Sequence, residues 1–444
     1  METNMNLGEI GNRIRFLRKE KGLSQRELAV GVCSESALSQ IENGNYPSMP
    51  SNAILQGLCE KLDTSFGELL NRIASRKSIE TDVLLDYVKG LIHRREFQSA
   101  IQILDEVGTR SLHKYQKIDL IICFSDCHIG VSEMERAIAL LSNLHQELEA
   151  DRETDPKVLA TVFNKLGIAW QRARNLVNAY NYYTRAYQNS LRFPEPDILC
   201  GNISYNLGNS CRWLRLDNEA RTYLEHAIKV YEKATDPKKL ADAYFVLGIV
   251  YKNQEQYVNA GEYFKKALVL YETLEIVEWV LEAKHHYAFF VQSQQSPEEA
   301  IPNLIEAANE YERIKDKRNQ AYLYAQVCVL YQHVDDFEQA KQYISSALDL
   351  FTRDEAEGEA KYAYVYRVFS NYLIDIKEYA MSIEYSVISS EIFGKMGLEK
   401  ESADSLEAAV IAYKAQGNLA QALEFSEKRN RLLRNPAVLF VTPK

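Results

Sequence analysis

The sequence has few of the features that mark secreted, membrane-bound or disulfide-rich proteins. Its seven cysteines among 444 residues are odd in number and irregularly spaced, which predicts no disulfide framework and fits a reducing cytoplasm. No apolar run approaches the length needed to cross a bilayer, and the first residues show no basic-then-apolar signal region. We therefore expect a cytoplasmic protein without a membrane partner.

Basic residues are also in short supply. The chain has 52 Lys and Arg against 62 Asp and Glu, a formal net charge of −10. A molecule of this charge does not coat nucleic acid along its whole surface, although one local DNA-binding patch remains compatible with it.

Signatures of catalysis and metal binding are missing too. There is no glycine-rich phosphate loop, nucleophile elbow or catalytic triad. Cys123, Cys127 and His128 form a small cluster, but a zinc site needs four ligands and no second pair follows at a suitable spacing. His285 and His286 are adjacent, so they are expected to point apart on a helix. The sequence therefore predicts no enzyme, no catalytic residue, no metal site and no cofactor.

What the chain does contain is a repeat, clearest in residues 244–267, YFVLGIVYKNQEQYVNAGEYFKKA. Within each half, apolar or small residues recur at steps of mostly three and four, which predicts a helix with one buried stripe. The polar turn 253–256 separates the halves into a helical hairpin, in which Gly248 and Ala260 suit close helix approach. One such hairpin cannot bury its own stripe, so stacked neighbours are needed.

Copies of this hairpin recur along the chain at spacings of roughly 40 residues. The position of Leu247 recurs as Tyr87, Phe124, Leu166, Leu207, Tyr287, Val327, Phe369 and Ala409. That of Ala260 recurs as Ala100, Ala137, Ala179, Ala220, Ala300, Ala340, Ser382 and Ala422. The pattern of Leu-Gly, a downstream aromatic, then Ala, aromatic and Ala resembles the tetratricopeptide repeat. The resemblance implies an all-α fold with a right-handed α-solenoid of about nine tetratricopeptide-like helical hairpins.

The first seventy residues have a different rhythm, which predicts five short helices. These helices are expected at residues 7–20, 25–30, 34–43, 52–62 and 66–73. Ser24 and Glu27 form a capping box at the start of the second helix, and Ser34 is placed to cap the third. A second capping box, at residues 65–68, opens the fifth helix. Two short helices across a tight turn, embedded in five, are the arrangement of a helix-turn-helix domain.

Residues 23–44, LSQRELAVGVCSESALSQIENG, closely resemble the Xre/Cro repressor-type domain. The resemblance makes the third helix the recognition helix, with the remaining contacts at phosphates. The DNA-binding residues it implies are Gln25, Arg26, Glu35, Ser36, Ser39, Gln40 and Asn43. Arg13, Arg15 and Arg18 add nearby positive charge. For Ser24, Glu27 and Glu42 we favour capping and internal pairing over DNA contact, and for Glu35 and Ser39 a solvated position without a contact is the alternative.

The head is not basic as a whole, because residues 1–72 carry eight Lys and Arg against nine Asp and Glu. Basic residues prevail only in residues 7–32, by six to three. We therefore expect modest affinity from one head, compensated by a homodimer that presents two heads to a double-stranded DNA operator.

The composition divides the chain into four parts. Residues 1–72 form the helix-turn-helix domain, 73–80 a short basic connection that holds the head close to the first repeat, and 81–435 the peptide-binding repeat domain. Residues 436–444 form an apolar tail, expected either to cover the stripe of the last repeat or to insert into a partner chain.

Solenoids of this kind bind ligands on a concave face built mainly from the first helix of each hairpin. The candidate peptide-binding residues on these helices are Asn164, Asn202, Tyr205, Asn206, Asn209, Arg212, Lys252, Asn253, Arg367 and Asn371. Asn202, Asn206 and Asn209 share one helical face, and each amide can donate to and accept from a peptide backbone. Arg212, Lys252 and Arg367 suit a carboxylate. The alternative is that all are merely solvated polar residues.

Head and array together resemble the Rap/Rgg/NprR/PlcR/PrgX family of peptide-pheromone receptors, including NprR-like regulators and phage arbitrium receptors. The resemblance implies a transcriptional regulator whose DNA binding is controlled by a short signalling peptide in the groove. The alternative is a protein–protein regulator that sequesters or dephosphorylates a response regulator. The operator, the peptide, the sign of regulation and a chromosomal or mobile-element origin stay open.

Overall fold

The computed structural model describes residues 7–47, 50–64, 77–110, 112–150 and 154–433. Within these ranges every regular element is a helix, as predicted. The head contains α1 (Leu7–Glu20), α2 (Gln25–Ala29), α3 (Glu35–Glu42) and α4 (Asn52–Lys61). The predicted fifth helix, its capping box and the apolar tail lie outside the described residues.

Nine consecutive pairs of helices follow in chain order within the described part of the chain, which confirms the predicted repeat architecture. They are α5 (Lys77–His93) with α6 (Phe97–Gly108), α7 (Lys114–Gly130) with α8 (Met134–Ala150), α9 (Pro156–Arg172) with α10 (Leu176–Ser190), α11 (Ile198–Trp213) with α12 (Asp217–Ala234), α13 (Pro237–Asn253) with α14 (Tyr257–Thr273), α15 (Val277–Phe290) with α16 (Pro297–Arg313), α17 (Lys317–His333) with α18 (Phe337–Leu348), α20 (Ala360–Asp375) with α21 (Tyr379–Lys395), and α22 (Glu399–Ala415) with α23 (Leu419–Leu433). A four-residue helix, α19 (Arg353–Ala356), precedes the eighth hairpin.

Local sequence explains how the head helices begin and how closely they pack. The Glu27 amide donates to Ser24 Oγ at 3.1 Å while the Ser24 amide donates to Glu27 Oε2 at 2.7 Å, which is the predicted capping box. Gly11 allows α1 to lie directly on α3, because a Cβ there would come within 1.9 Å of the Ile41 carbonyl oxygen.

Small residues and tight turns shape the repeats. A Cβ on Gly248 would lie 2.7 Å from the Phe264 ring, so this glycine lets α13 and α14 approach as the sequence indicated. Most of the hairpin turns contain one residue in the left-handed region, usually not glycine. Within hairpins these are Arg95, Ser132, Arg174, Arg215, Glu255, Asp335, Lys377 and Gly417. The left-handed residue reverses the chain after a helix and lets its last carbonyls find partners.

The described chain divides into two compact units, Met1–Ala173 and Arg174–Lys444. In the first unit the head packs directly on the opening hairpin, because buried residues of both belong to one hydrophobic cluster. Asn52 of α4 joins them: its Nδ2 donates to Glu96 Oε2 at 2.7 Å, and its Oδ1 accepts from the Tyr87 hydroxyl. The head is therefore held against the first repeat. The predicted connection, residues 73–80, is helical from Lys77 onward.

In the second unit the first helices of successive hairpins pack on one another, as α11 does on α13 and α20 on α22. The unit also curls on itself, since Arg174 Nη1 donates to the Met396 carbonyl at 3.1 Å across 222 positions of sequence. Side chains on its first helices therefore line a common interior face. No helix of the described residues is long and apolar enough to cross a membrane.

Candidate functional site

The recognition helix α3 presents a polar face to solvent. Glu35, Ser36 and Gln40 are exposed and Ser39 is half-buried, while Leu38 and Ile41 on the opposite side are fully buried. The same helix therefore anchors itself in the head core and offers donors and acceptors outward, as contact with base edges in a major groove requires.

The phosphate-side candidates are less uniform. Arg26 and Asn43 are exposed, and Asn43 Oδ1 accepts a long hydrogen bond from Arg15 Nη1 at 3.4 Å. Gln25 differs, because its Nε2 donates to Glu42 Oε2 at 2.7 Å. Its carbonyl oxygen and its second N–H remain for another partner.

A buried ion pair holds the three DNA-proximal helices together. Arg18 of α1 donates to Glu42 of α3 through Nε at 2.6 Å and Nη2 at 2.9 Å, and through Nη1 to the Leu23 carbonyl at 2.8 Å. Burial opposes the charge on Glu42, but the hydrogen bonds from Arg18 and Gln25 outweigh it and hold the pKa of Glu42 below its usual value. The expectation that Arg18 supplies charge to DNA is therefore wrong, whereas internal pairing of Glu42 is confirmed.

In the second unit, α11 carries three half-buried asparagines, Asn202, Asn206 and Asn209. The side chains of Asn202 and Asn209 already accept hydrogen bonds within the protein. Asn202 Oδ1 accepts from the Tyr231 hydroxyl at 3.1 Å, and Asn209 Oδ1 accepts from Arg212 Nε at 3.0 Å. These contacts orient both amides and leave their N–H groups as donors for a ligand.

Two neighbouring basic side chains, Arg212 and Lys252, make cation–π contacts with aromatic rings and form no ion pair with a carboxylate of the described residues. The Arg212 guanidinium lies 4.2 Å from the Trp213 ring centroid and Lys252 Nζ lies 4.4 Å from that of Phe290. Burial lowers the pKa of Arg212 to about 10 and that of Lys252 to about 8.

Further positive charge surrounds Lys252. After burial, the charges of Arg215, Arg212 and Lys400 lower its pKa further, and Asp217 alone opposes them. Lys400 lies in the first turn of α22, about 150 positions further along the chain. No local sequence pattern therefore indicates that it lies near Lys252. The interior face of the unit is therefore an electropositive patch with little internal compensation, which favours a ligand carrying negative charge.

Other predicted groove residues are placed differently. Asn164 is buried at 6% exposure and has internal interactions, and its role in peptide binding stays a prediction. Tyr205 and Asn253 are half-buried and Asn371 is exposed. The Arg367 guanidinium lies 4.9 Å from the Tyr364 ring centroid.

The two histidines of α15 also contradict the sequence-based expectation, because they do not point apart. Their ring centroids are only 4.4 Å apart. His285 Nδ1 and His286 Nε2 each lie 3.7 Å from a carboxylate oxygen of Glu282. Both can face the same residue because Glu282 precedes them by three and by four positions, and these are the two spacings that meet on a helix.

Comparisons with known proteins agree with this architecture. Residues 14–69 match the family HTH_3, a helix-turn-helix, and residues 199–273 match TPR_12, a tetratricopeptide repeat. The transcriptional activator NprA of Geobacillus stearothermophilus is 23% identical over 425 residues, which cover 92% of this chain and 99% of that protein.

Two solved structures share the fold. The apo form of RapI has a TM-score of 0.62 at 13% identity and covers 80% of this chain and 97% of that one. The apo form of the quorum sensor NprR from B. thuringiensis has a TM-score of 0.59 at 11% identity, with 80% and 100% covered.

The fold and the two matched regions define a class of protein in which a helix-turn-helix head is joined to a tetratricopeptide array. Such proteins read DNA through the head and use the array as a binding surface. Within this class, the chain resembles the Rap/Rgg/NprR/PlcR/PrgX family in both matched regions and in fold.

Proposed function

We propose that the protein is a DNA-binding transcriptional regulator controlled by a short signalling peptide that binds in the repeat domain. The observation that carries this proposal is the combination of an exposed polar face on α3 with an electropositive interior face on the array. Relatives support it, since NprA is named a transcriptional activator and NprR a quorum sensor. The switch is of the quorum-sensing or lysis–lysogeny type.

The interior face suggests which peptide fits. The N–H groups of Asn202 and Asn209 suit the carbonyls of an extended backbone, and Arg212 and Lys252 suit a carboxylate, either an acidic side chain or the free C-terminus. Burial costs these two cations part of their hydration and no carboxylate forms an ion pair with them, so an anionic ligand would stabilise them.

Control follows from population shift, because a peptide changes DNA binding only by its difference in affinity between two arrangements of the protein. The head is hydrogen-bonded to the first hairpin through Asn52, so a change in that hairpin is passed to α4 directly. Since one head has little net positive charge, we further propose that a homodimer presents two heads to paired half-sites.

The test is capture of sheared genomic DNA on the purified protein, with and without the small-peptide fraction of spent medium. Discrete paired sites whose recovery changes with the fraction are expected. The double variant Ser36→Ala/Gln40→Ala should lose the sites and still bind peptide, whereas Lys252→Gln should keep the sites and lose the response. Lys341→Gln, which neutralises an exposed lysine on the second helix α18, serves as the matched control. The proposal fails if the wild-type protein enriches no site in either condition.

The second candidate is a regulator that sequesters or dephosphorylates a response regulator, and the Rap-like fold favours it. An intact recognition helix argues against this as the main activity, and we propose that the protein is not an enzyme. Incubation with phosphorylated response regulators of the host tests this, because accelerated loss of phosphate would establish the phosphatase reading.

A further inference from the structure

The middle turns of α15 bring three side chains of metal-ligating type together. One donor atom from each of Glu282, His285 and His286 lies within 4.8 Å of the other two. Glu282 and His286 are four positions apart on the helix, a spacing that lets two ligands on one face chelate the same ion.

The histidine nitrogens lack partners within the described part of the chain. His285 is 1% exposed, and neither of its ring nitrogens has a hydrogen bond; His286 Nδ1 is likewise buried without one. A buried polar group without a partner costs about 1–3 kcal/mol. The cluster therefore destabilises the folded protein unless a ligand binds the histidine nitrogens.

We propose that Glu282, His285 and His286 bind a divalent transition-metal ion of the Zn²⁺ type, with a water molecule at the open position. Two imidazoles and one carboxylate are a known ligand set for zinc. The 3.7 Å separations between Glu282 oxygens and each histidine fit two ligands placed about 2.0–2.1 Å from a shared ion.

The residues around the cluster orient the Glu282 carboxylate, leave a route by which an ion can enter, and place a positive charge that competes with the ion for Glu282. The Tyr311 hydroxyl donates to Glu282 Oε2 at 3.3 Å, the kind of outer hydrogen bond that orients a ligating carboxylate. Glu282 and His286 keep 23% and 15% side-chain exposure, so an ion can enter from the interior face. Lys361 Nζ lies 3.8 Å from Glu282 Oε2 and competes with the metal, although Lys361 also donates to Asn319.

The experiment is titration of the full-length, reduced protein with Co²⁺, followed by visible absorption, and with Zn²⁺, followed by calorimetry. One ion per chain is expected, with ligand-field bands but no thiolate-to-cobalt charge transfer, since the cysteines are not involved. His286→Gln and Glu282→Gln should each weaken binding at least about tenfold. Lys361→Met removes the competing charge and should tighten binding several-fold, a result that a purely structural cluster does not predict.

His226→Gln is the matched control, because His226 pairs with Ser204 at 2.8 Å and lies outside the cluster. Thermal unfolding without metal separates loss of the site from loss of the fold. The inference is overturned if the wild-type protein takes up no cobalt at millimolar concentration. It is equally overturned if His226→Gln lowers uptake as much as His286→Gln does, or if the bands show sulfur ligation.

Discussion

Replacing Arg18 by Met tests the buried ion pair that joins α1, α2 and α3. Methionine keeps most of the apolar stem of arginine and removes the charge. Arg18 makes two hydrogen bonds to Glu42 and one to the Leu23 carbonyl. Its loss leaves the Glu42 carboxylate, at 1% exposure, with Gln25 as its remaining donor.

Removing one partner of a buried pair costs about 3–5 kcal/mol, so the unfolding equilibrium constant of the head should rise about 150-fold to 4,000-fold. The second variant is Arg18→Met/Glu42→Leu, which replaces both charges by apolar groups. Because the desolvation of Glu42 is then avoided, the double variant should recover most of the loss.

Hydrogen exchange of peptides from residues 10–42 measures opening of the head. Trp170, Trp213 and Trp279 all lie in the array, so tryptophan fluorescence in the same denaturant series serves as an internal reference that should not change. A loss below about 1 kcal/mol in the single variant would refute the reasoning, as would additive losses in the double variant.

Four further predictions follow from single contacts. The pKa of Glu42 is lowered in the folded head, so the stabilisation it gives is present above its unfolded pKa of about 4.3 and is lost as pH falls through the folded value. Hydrogen exchange at decreasing pH should show this loss of head stability in the wild type and not in Glu42→Gln. Thr235 has a φ of 52°, unfavourable for a β-branched residue, so Thr235→Gly should raise the free energy of unfolding by about 0.5–1 kcal/mol, and unchanged or lower stability in calorimetry would contradict it. Gly248→Ala should destabilise the array by about 1–3 kcal/mol, because the new methyl group meets the Phe264 ring; Gly394→Ala, where a Cβ would make only an ordinary contact of 3.7 Å with Ser402 Oγ, is the control. Since the pKa of Lys252 is about 8, affinity for an acidic peptide should fall as pH rises from 7 to 9, and Lys252→Arg should abolish that dependence in binding titrations.

Several features could be predicted because they depend on neighbours in sequence. The capping box at Ser24 and the hairpins around Gly248 follow from residues three or four positions apart, and helix geometry turns such spacings into contacts. Pairing of Glu42 inside the head was also anticipated, because a charged residue within an apolar stripe needs a partner.

Other features could not be predicted because the partners are distant in sequence. Nothing near Arg18 indicates that it reaches Glu42, and nothing near Lys252 indicates that Lys400 joins it. Asn164 occupies the same repeat position class as groove residues, but the packing of its own unit buries it. The proximity of His285 and His286 was missed for a different reason. Adjacent residues on a helix usually point apart, but these two follow Glu282 by three and by four positions, and both spacings bring a side chain back to that residue.

By itself, the sequence determined the all-helical class, the head with its recognition helix and the number of hairpins, since periodicity and capping act over a few residues. Only the tertiary structure decided which polar side chains form hydrogen bonds or ion pairs within the protein and which face the interior of the array. The physical reason is that burial and charge neighbourhood depend on how the repeats curl in space, and that curvature is the sum of many small packing angles.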